Sequence, residues 1–159
     1  MERLDVICVG SLKEKYLREL CAEYEKRLSR FCKLTVTELA ESRLPADPSP
    51  AEIARALDSE AEAMTARTPD GAYRIALCVE GREMPSESFS AALERGFERS
   101  GRVVMYIGSS YGISERLKSA CDLRFSLSQL TFPHQLARGV LMEQLFRAYK
   151  IRAGETYHK

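Results

Sequence analysis

The chain has 159 residues, of which 45% are hydrophobic and 30% charged, and its formal net charge is +1. That length suits one domain, residues 1–159, large enough to bury roughly 70% of its unfolded surface. No stretch approaches the ~20 uninterrupted apolar residues of a membrane-spanning helix. The first residues, Met1-Glu2-Arg3-Leu4-Asp5, carry charges where a signal peptide would be apolar, so a cytosolic address is expected. Residues 105–159 hold eight Lys/Arg against four Asp/Glu, a balance of +4 that leaves −3 for residues 1–104. A mildly basic C-terminal third is compatible with a phosphate-bearing partner and is too weak to establish one. Five cysteines lie far apart, without CxxC spacing and with only two histidines, which argues against a zinc site. Cys8 and Cys78 sit in apolar runs and read as small buried thiols.

Short β-like runs alternate with longer helical ones. Asp5–Val9 reads as a strand, and 13–30 as an amphipathic helix with Leu17, Leu20, Cys21, Tyr24 and Leu28 on one stripe. Lys33–Leu39 is a second strand, and 44–50 a Pro-rich connector. Ser49-Pro50-Ala51-Glu52 opens a helix through about Ala66, with Ser49 as N-cap and Glu52 closing a capping box. Tyr73–Val79 is the third strand, ended by Glu80-Gly81-Arg82. The segments 86–98 (helix), Arg102–Ile107 (strand), 114–120 (helix capped by Ser114), 124–127 (strand) and 133–151 (helix) complete the chain. Strands separated by helices predict right-handed crossovers and a mainly parallel sheet covered on both faces, an α/β domain.

The most informative features lie in the last third. The strand 103–107 breaks into Gly108-Ser109-Ser110-Tyr111-Gly112, and a second loop, Leu127–Phe132, feeds Pro133-His134 and the final helix. Loops at the C-terminal ends of strands are where an open α/β sheet builds ligand sites. The pair points to a nucleotide-like cofactor, with the loops, the last helix and the terminus packed in one small region. The glycine loop is not the GxGxxG fingerprint, and alone it reads equally as a tight turn. Glu80-Gly81-Arg82 has the same two readings. Loop 127–132 has apolar residues at 127, 130 and 132 with polar groups between, suited to the faces and edge of an adenine or to a buried connector. His134, at the helix start, reads as a base, an RNA contact or, more commonly, a structural residue. Along that helix Leu136, Val140, Leu141, Leu145, Phe146, Ala148 and Tyr149 cover too wide an arc for one buried stripe, which predicts a subunit interface. Arg138 and Arg147 flank the arc and read as phosphate contacts or as ordinary surface arginines. A short terminus usually frays. Folded back, it would offer Tyr157 for stacking on a base, with His158 and Lys159 for phosphate.

The N-terminal Val6–Lys13, Tyr24-Glu25-Lys26-Arg27-Leu28, Ile107–Gly112, Leu130-Thr131-Phe132-Pro133-His134-Gln135, Glu143–Ala148 and the terminal Tyr157-His158-Lys159 together resemble one family. It is that of the bacterial pseudouridine N3-methyltransferases of 23S ribosomal RNA, in the SPOUT superfamily. The resemblance spans essentially the full length. It implies a parallel α/β sheet with a C-terminal deep trefoil knot, S-adenosylmethionine bound in that knot, a homodimer, and the assembled 70S ribosome as substrate, with no metal and no membrane. By matching positions it places the cofactor at Leu77, Gly108, Leu127, Ser128, Gln129, Leu130, Thr131 and Phe132. Methyl transfer to N3 leaves negative charge on the base and no Asp or Glu sits in the ligand loops, so Arg147, Tyr157 and His158 are the expected catalytic residues, with Arg138, Lys159 and His134 as RNA contacts. Ser109 departs from the family, which usually has a second glycine there. A serine held at positive φ would cost roughly 1 kcal/mol and weaken cofactor binding. A ribosome-binding factor of the same fold without methyl transfer is the alternative.

Overall fold

In a computed structural model, which describes residues 1–158, ten elements alternate along the chain. They are β1 (Arg3–Val9), α1 (Lys15–Leu28), β2 (Lys33–Leu39), α2 (Pro50–Ala66), β3 (Tyr73–Arg82), α3 (Ser86–Ser100), β4 (Arg102–Ile107), α4 (Glu115–Ser119), β5 (Leu123–Phe125) and α5 (His134–Arg152). The five strands form one sheet in the order β2-β1-β4-β3-β5, and every pairing is parallel. The predicted α/β architecture and parallel sheet are therefore present.

Alternation along the strands divides the core into two layers. Leu4, Val6 and Cys8 of β1, with Val103, Met105 and Ile107 of β4, pack with residues of α1, α3 and α5. Ile7 and Val9, with Val104 and Tyr106, meet Ala61 and Met64 of α2 and Leu117 of α4. Both faces of the central strands are buried, which is why they read as continuous apolar runs.

The capping signals act where the sequence places them. Ser49 Oγ accepts from the Glu52 N–H, and the Glu52 carboxylate accepts from the Ser49 N–H. Ser114 caps α4 through the Leu117 N–H.

One expectation is narrowed and one is corrected. Much of the wide apolar arc of α5 is used inside the subunit, because α5 lies between two helices. Toward α1, Phe146 meets Tyr24 at 6.0 Å and Tyr149 stacks on Phe31 at 5.7 Å. Toward α3, Ser90 Oγ donates to the Ala148 carbonyl at 2.9 Å. A helix buried on two sides needs two apolar stripes, which leaves a narrower face for a second subunit than the sequence pattern suggests. The half-exposed face that remains carries Leu136, Val140, Glu143, Gln144, Arg147 and Ile151.

Glu80-Gly81-Arg82 does not end β3. The strand continues through Arg82, which pairs with Phe125 after a register shift. The Ser126 N–H donates to the Arg82 carbonyl at 3.0 Å. A Cβ on Gly81 would lie 2.7 Å from the Phe125 carbonyl carbon, so glycine here permits two backbones to touch.

One buried acid stands out. Glu60 on α2 is 6% exposed; its Oε2 accepts from the Ser42 N–H at 2.9 Å, while Oε1, near Ser109, makes no hydrogen bond of good geometry among the described residues. Burial pushes its carboxyl above the usual range, opposed by the Ser42 and Ser109 contacts and reinforced by Glu41. A raised carboxyl pKa favours the folded state at low pH and costs stability as pH rises through the folded value. Glu60→Gln is accordingly expected to leave stability at pH 4 unchanged and to raise it by about 1 kcal/mol at pH 8. Denaturant melts at the two pH values check this.

Candidate functional site: a loop-built cleft and a separate C-terminal cluster

A cleft of about 280 Å³ opens at the C-terminal ends of β3 and β4. Its floor is Leu77 and Ile107, one wall is the loop 108–113, and the other is the loop 126–132 with His134 and Ala137 of α5. The parallel sheet places these loops together because each follows a strand at the same edge. Leu77, Gly108, Leu127, Ser128, Leu130, Thr131 and Phe132 all line the cleft, whereas Gln129 turns away and donates to Glu83 at 3.1 Å. Leu130 is 70% exposed and stands at the rim.

The glycine loop is closed by its own backbone. The Gly112 N–H donates to the Ser109 carbonyl at 2.9 Å, and the two residues form an isolated bridge. Gly112 takes φ 91°, which side-chain-bearing residues rarely adopt. A Cβ on Gly108 would lie 2.2 Å from the Gly112 carbonyl oxygen. Gly108 is thus required by the loop's tight closure. Among the described residues none other than glycine has positive φ, so Ser109 sits in the loop without the strain its substitution would otherwise bring.

Sequence reasoning left Lys118 without a role and gave Glu80 and Tyr111 none beyond their loops. Glu80 and Lys118 form an ion pair at the cleft, and Tyr111 lines it half-exposed. Cys78, expected as a core thiol, is half-buried and lines the cleft. Burial pushes its thiol up, and that of Cys8 up to about 12, so neither is a ready thiolate. Among the described residues no cluster of His, Cys, Asp and Glu has the form of a metal site. No helix among them is long and apolar enough to cross a membrane.

The C-terminal residues gather elsewhere. The Arg147 guanidinium donates twice to Glu143 Oε1, at 2.6 and 3.1 Å, and meets His158 Nδ1 at 3.3 Å. The Tyr157 hydroxyl donates to the same Glu143 oxygen at 3.1 Å, and Arg147 lies 4.8 Å over the Tyr157 ring. His158 Nε2 is 2.7 Å from Glu87 Oε1 in the first turn of α3. Burial, with contacts to Tyr24 and Glu143, pushes the Tyr157 phenol up to about 12, so it stays a hydrogen-bond donor. Glu143 holds the guanidinium's charge in place and raises its pKa further. Glu143 and Glu87 are the organising residues that sequence reasoning left without a role. The spacing Glu143-x-x-x-Arg147 puts the first pair on one helical face and was legible.

None of Arg147, Tyr157 and His158 lines the cleft. Ala137, which does, precedes Arg147 by ten residues, about 15 Å along α5. The expectation that loops, helix and terminus share one small region is therefore wrong within a single subunit. Arg138, expected to face RNA, is 5% exposed; it pairs with Glu38 at 2.8 Å and donates to the Gly10 carbonyl at 3.1 Å. Its charge joins β1, β2 and α5 and does not face solvent. His134 lines the cleft, and its Nε2 would be 3.3 Å from a Cβ on Gly10. Lys159 lies outside the described residues.

The model of a family described as predicted SPOUT methyltransferases matches residues 2–158. Among similar proteins, the ribosomal RNA large subunit methyltransferase H of Streptococcus gordonii is 44% identical over 161 residues, covering 99% of each chain. The proteins of the same description from Streptococcus agalactiae and Bifidobacterium adolescentis are 44% and 40% identical, again over 99% of both chains. With a cleft framed by two strand-end loops and a likeness that runs from end to end, the chain belongs to the SPOUT methyltransferases, in the family of ribosomal RNA large subunit methyltransferase H.

Proposed function

We propose that this protein transfers a methyl group from S-adenosylmethionine to N3 of a pseudouridine in 23S ribosomal RNA. On this reading it acts as a cytoplasmic homodimer on the assembled 70S ribosome. The observation that carries the reading is the cleft, built from backbone loops at the strand ends of a SPOUT methyltransferase. Its residues fit the cofactor: Leu77, Ile107, Leu127 and Phe132 offer apolar walls to a flat base, while loop backbone and Ser128 offer hydrogen bonds to its edge. When bound, the cofactor supplies an electrophilic methyl group. The tight contact of Gly81 with the Phe125 backbone and the Ser126-to-Arg82 hydrogen bond support a chain threaded there into the family's trefoil knot.

The remaining chemistry falls to the C-terminal cluster. N3 of pseudouridine loses a proton as it gains the methyl, so negative charge develops on the base. Arg147 is a permanent cation positioned by Glu143, suited to stabilise that charge. Tyr157, a phenol at neutral pH, orients the base by donating a hydrogen bond. His158, between Arg147 and Glu87, holds the cluster against α3. His134 supports the cleft wall. Because cluster and cleft are apart on one chain, the cluster of each subunit serves the cleft of its partner. Exposed Tyr16 and Leu20 on α1, beside Leu136 and Val140 on α5, give an apolar patch for that contact, with Leu20 packed at Gly139. The alternative of a factor without methyl transfer rested on strain at Ser109, which the loop does not have.

The test is transfer of a labelled methyl group from S-adenosylmethionine to 70S ribosomes from cells lacking this modification, with free 50S subunits alongside. Incorporation on 70S, mapped to N3 of a pseudouridine, is expected. Cofactor binding without incorporation on either particle would overturn the assignment.

A further inference from the structure

The chain's expected RNA contact on α5, Arg138, is buried, so the phosphate-binding surface has to be sought elsewhere. A groove of about 480 Å³ runs between the C-terminal halves of α1 and α5 and ends at Tyr157. Its sides carry Lys26, Arg27, Arg30 and Lys150 against Glu23 and Glu155. Arg27 pairs with Glu23 and Lys150 with Glu155. Exposed Lys26 and Arg30 have no ion pair among the described residues; Lys26 lies in the last turn of α1 and Arg30 in the turn that follows it.

The floor of the groove is aromatic. Phe31, Phe146 and Tyr157 line it, with Phe146 edge-on to Tyr157 at 5.0 Å. Cations lie over these rings: Arg27 is 5.7 Å from the Phe146 centroid and Lys150 5.9 Å from that of Phe31. Excess positive charge along a track, interleaved with aromatic faces, is the chemistry that holds a single-stranded or looped RNA. A phosphate there competes with Glu23 and Glu155 for cations that are already ordered, and meets Lys26 and Arg30 unopposed.

We propose that the α1–α5 groove is the track that holds the phosphate backbone of the substrate RNA and leads its target base to Tyr157. The inference rests on the proposed function and extends it from the reacting base to the flanking strand.

The experiment compares full-length wild type, Lys26→Ala/Arg30→Ala, and Arg43→Ala/Arg55→Ala. The last pair removes two exposed cations beside α2, so overall charge loss is matched. Co-sedimentation with unmodified 70S ribosomes is measured over a salt series, and methyl transfer and cofactor affinity are measured separately. The groove variant is expected to bind ribosomes at least about 10-fold more weakly, with a log–log salt slope shallower by about two. Its cofactor affinity should equal that of the wild type, and its transfer defect should appear in KM and not in kcat. The α2-side variant should stay within about two-fold of wild type in every readout. Equal ribosome affinity of the two variants would overturn the groove. A wild type that sediments with ribosomes but transfers no methyl would overturn the enzymatic reading alone, because sedimentation still reports on the groove. Failure of the wild type to do either would overturn both.

Discussion

Arg147→Ala is expected to lower the single-turnover rate of methyl transfer by at least about 100-fold while cofactor affinity stays within about two-fold. The guanidinium is the hub of the C-terminal cluster, joining Glu143, His158 and the face of Tyr157. On the proposed mechanism its removal takes away the fixed cation that faces the developing charge, and it leaves Glu143 with only the Tyr157 hydroxyl and the Gln144 amide as donors. Arg147→Lys should recover little, because a single ammonium cannot reproduce the doubled contact to Glu143 together with the reach to His158. The cofactor cleft contains none of these groups, so calorimetric titration of S-adenosylmethionine should not register the change. Cofactor affinity that falls in step with the rate would place Arg147 in the wrong role.

The second large effect is at Gly108. A methyl at this position meets the Gly112 carbonyl oxygen at 2.2 Å and the Ile113 side chain at 2.8 Å. The first obstacle is backbone, and it belongs to the same short loop, so relief requires the 108–112 turn to open. Gly108→Ala should therefore weaken cofactor binding by more than about 100-fold and lower stability by about 1–3 kcal/mol through overpacking. Ser109→Gly is the informative comparison. Since Ser109 needs no positive φ, restoring the family's usual glycine should change affinity by no more than about three-fold. A large gain from Ser109→Gly would show that the serine does burden the loop.

These two sites were not equally legible in the sequence. The bounds of β2, β4 and α2 follow from local pattern, and in α2 from a capping box whose two hydrogen bonds span three residues. The residues of the cleft were legible for a related reason: loops at the ends of parallel strands share one edge whatever their detailed conformation. What escaped is non-local. Gly81 looks like a turn residue until Phe125 is laid against it, 44 positions away in the chain. Arg138 looks like a surface cation until it meets Glu38, 100 residues earlier. The broad apolar arc of α5 carries no mark to distinguish a second helix of the same subunit from a second subunit.

Charge summed along the chain misled in the same way. The basic C-terminal third is compatible with a phosphate partner, yet its cations are largely paired within the fold. Arg124 and Lys118 meet Glu115, Arg138 meets Glu38, and Arg152 meets Glu2. The unpaired cations of the α1–α5 groove come from the last turn of α1 and the turn after it, in the part of the chain whose net charge is negative. Only the folded surface tells which charges are left over to attract RNA.

The claim on which the account turns is that the cleft of one subunit works with the C-terminal cluster of another. Mixing Gly108→Ala with Arg147→Ala subunits tests it directly, because a mixed dimer has one intact cleft facing one intact cluster. After subunit exchange, methyl transfer to 70S ribosomes should recover to about a quarter of the wild-type rate, since half the dimers are mixed and each holds one working site of two. A mixture no more active than either variant alone would contradict the shared site.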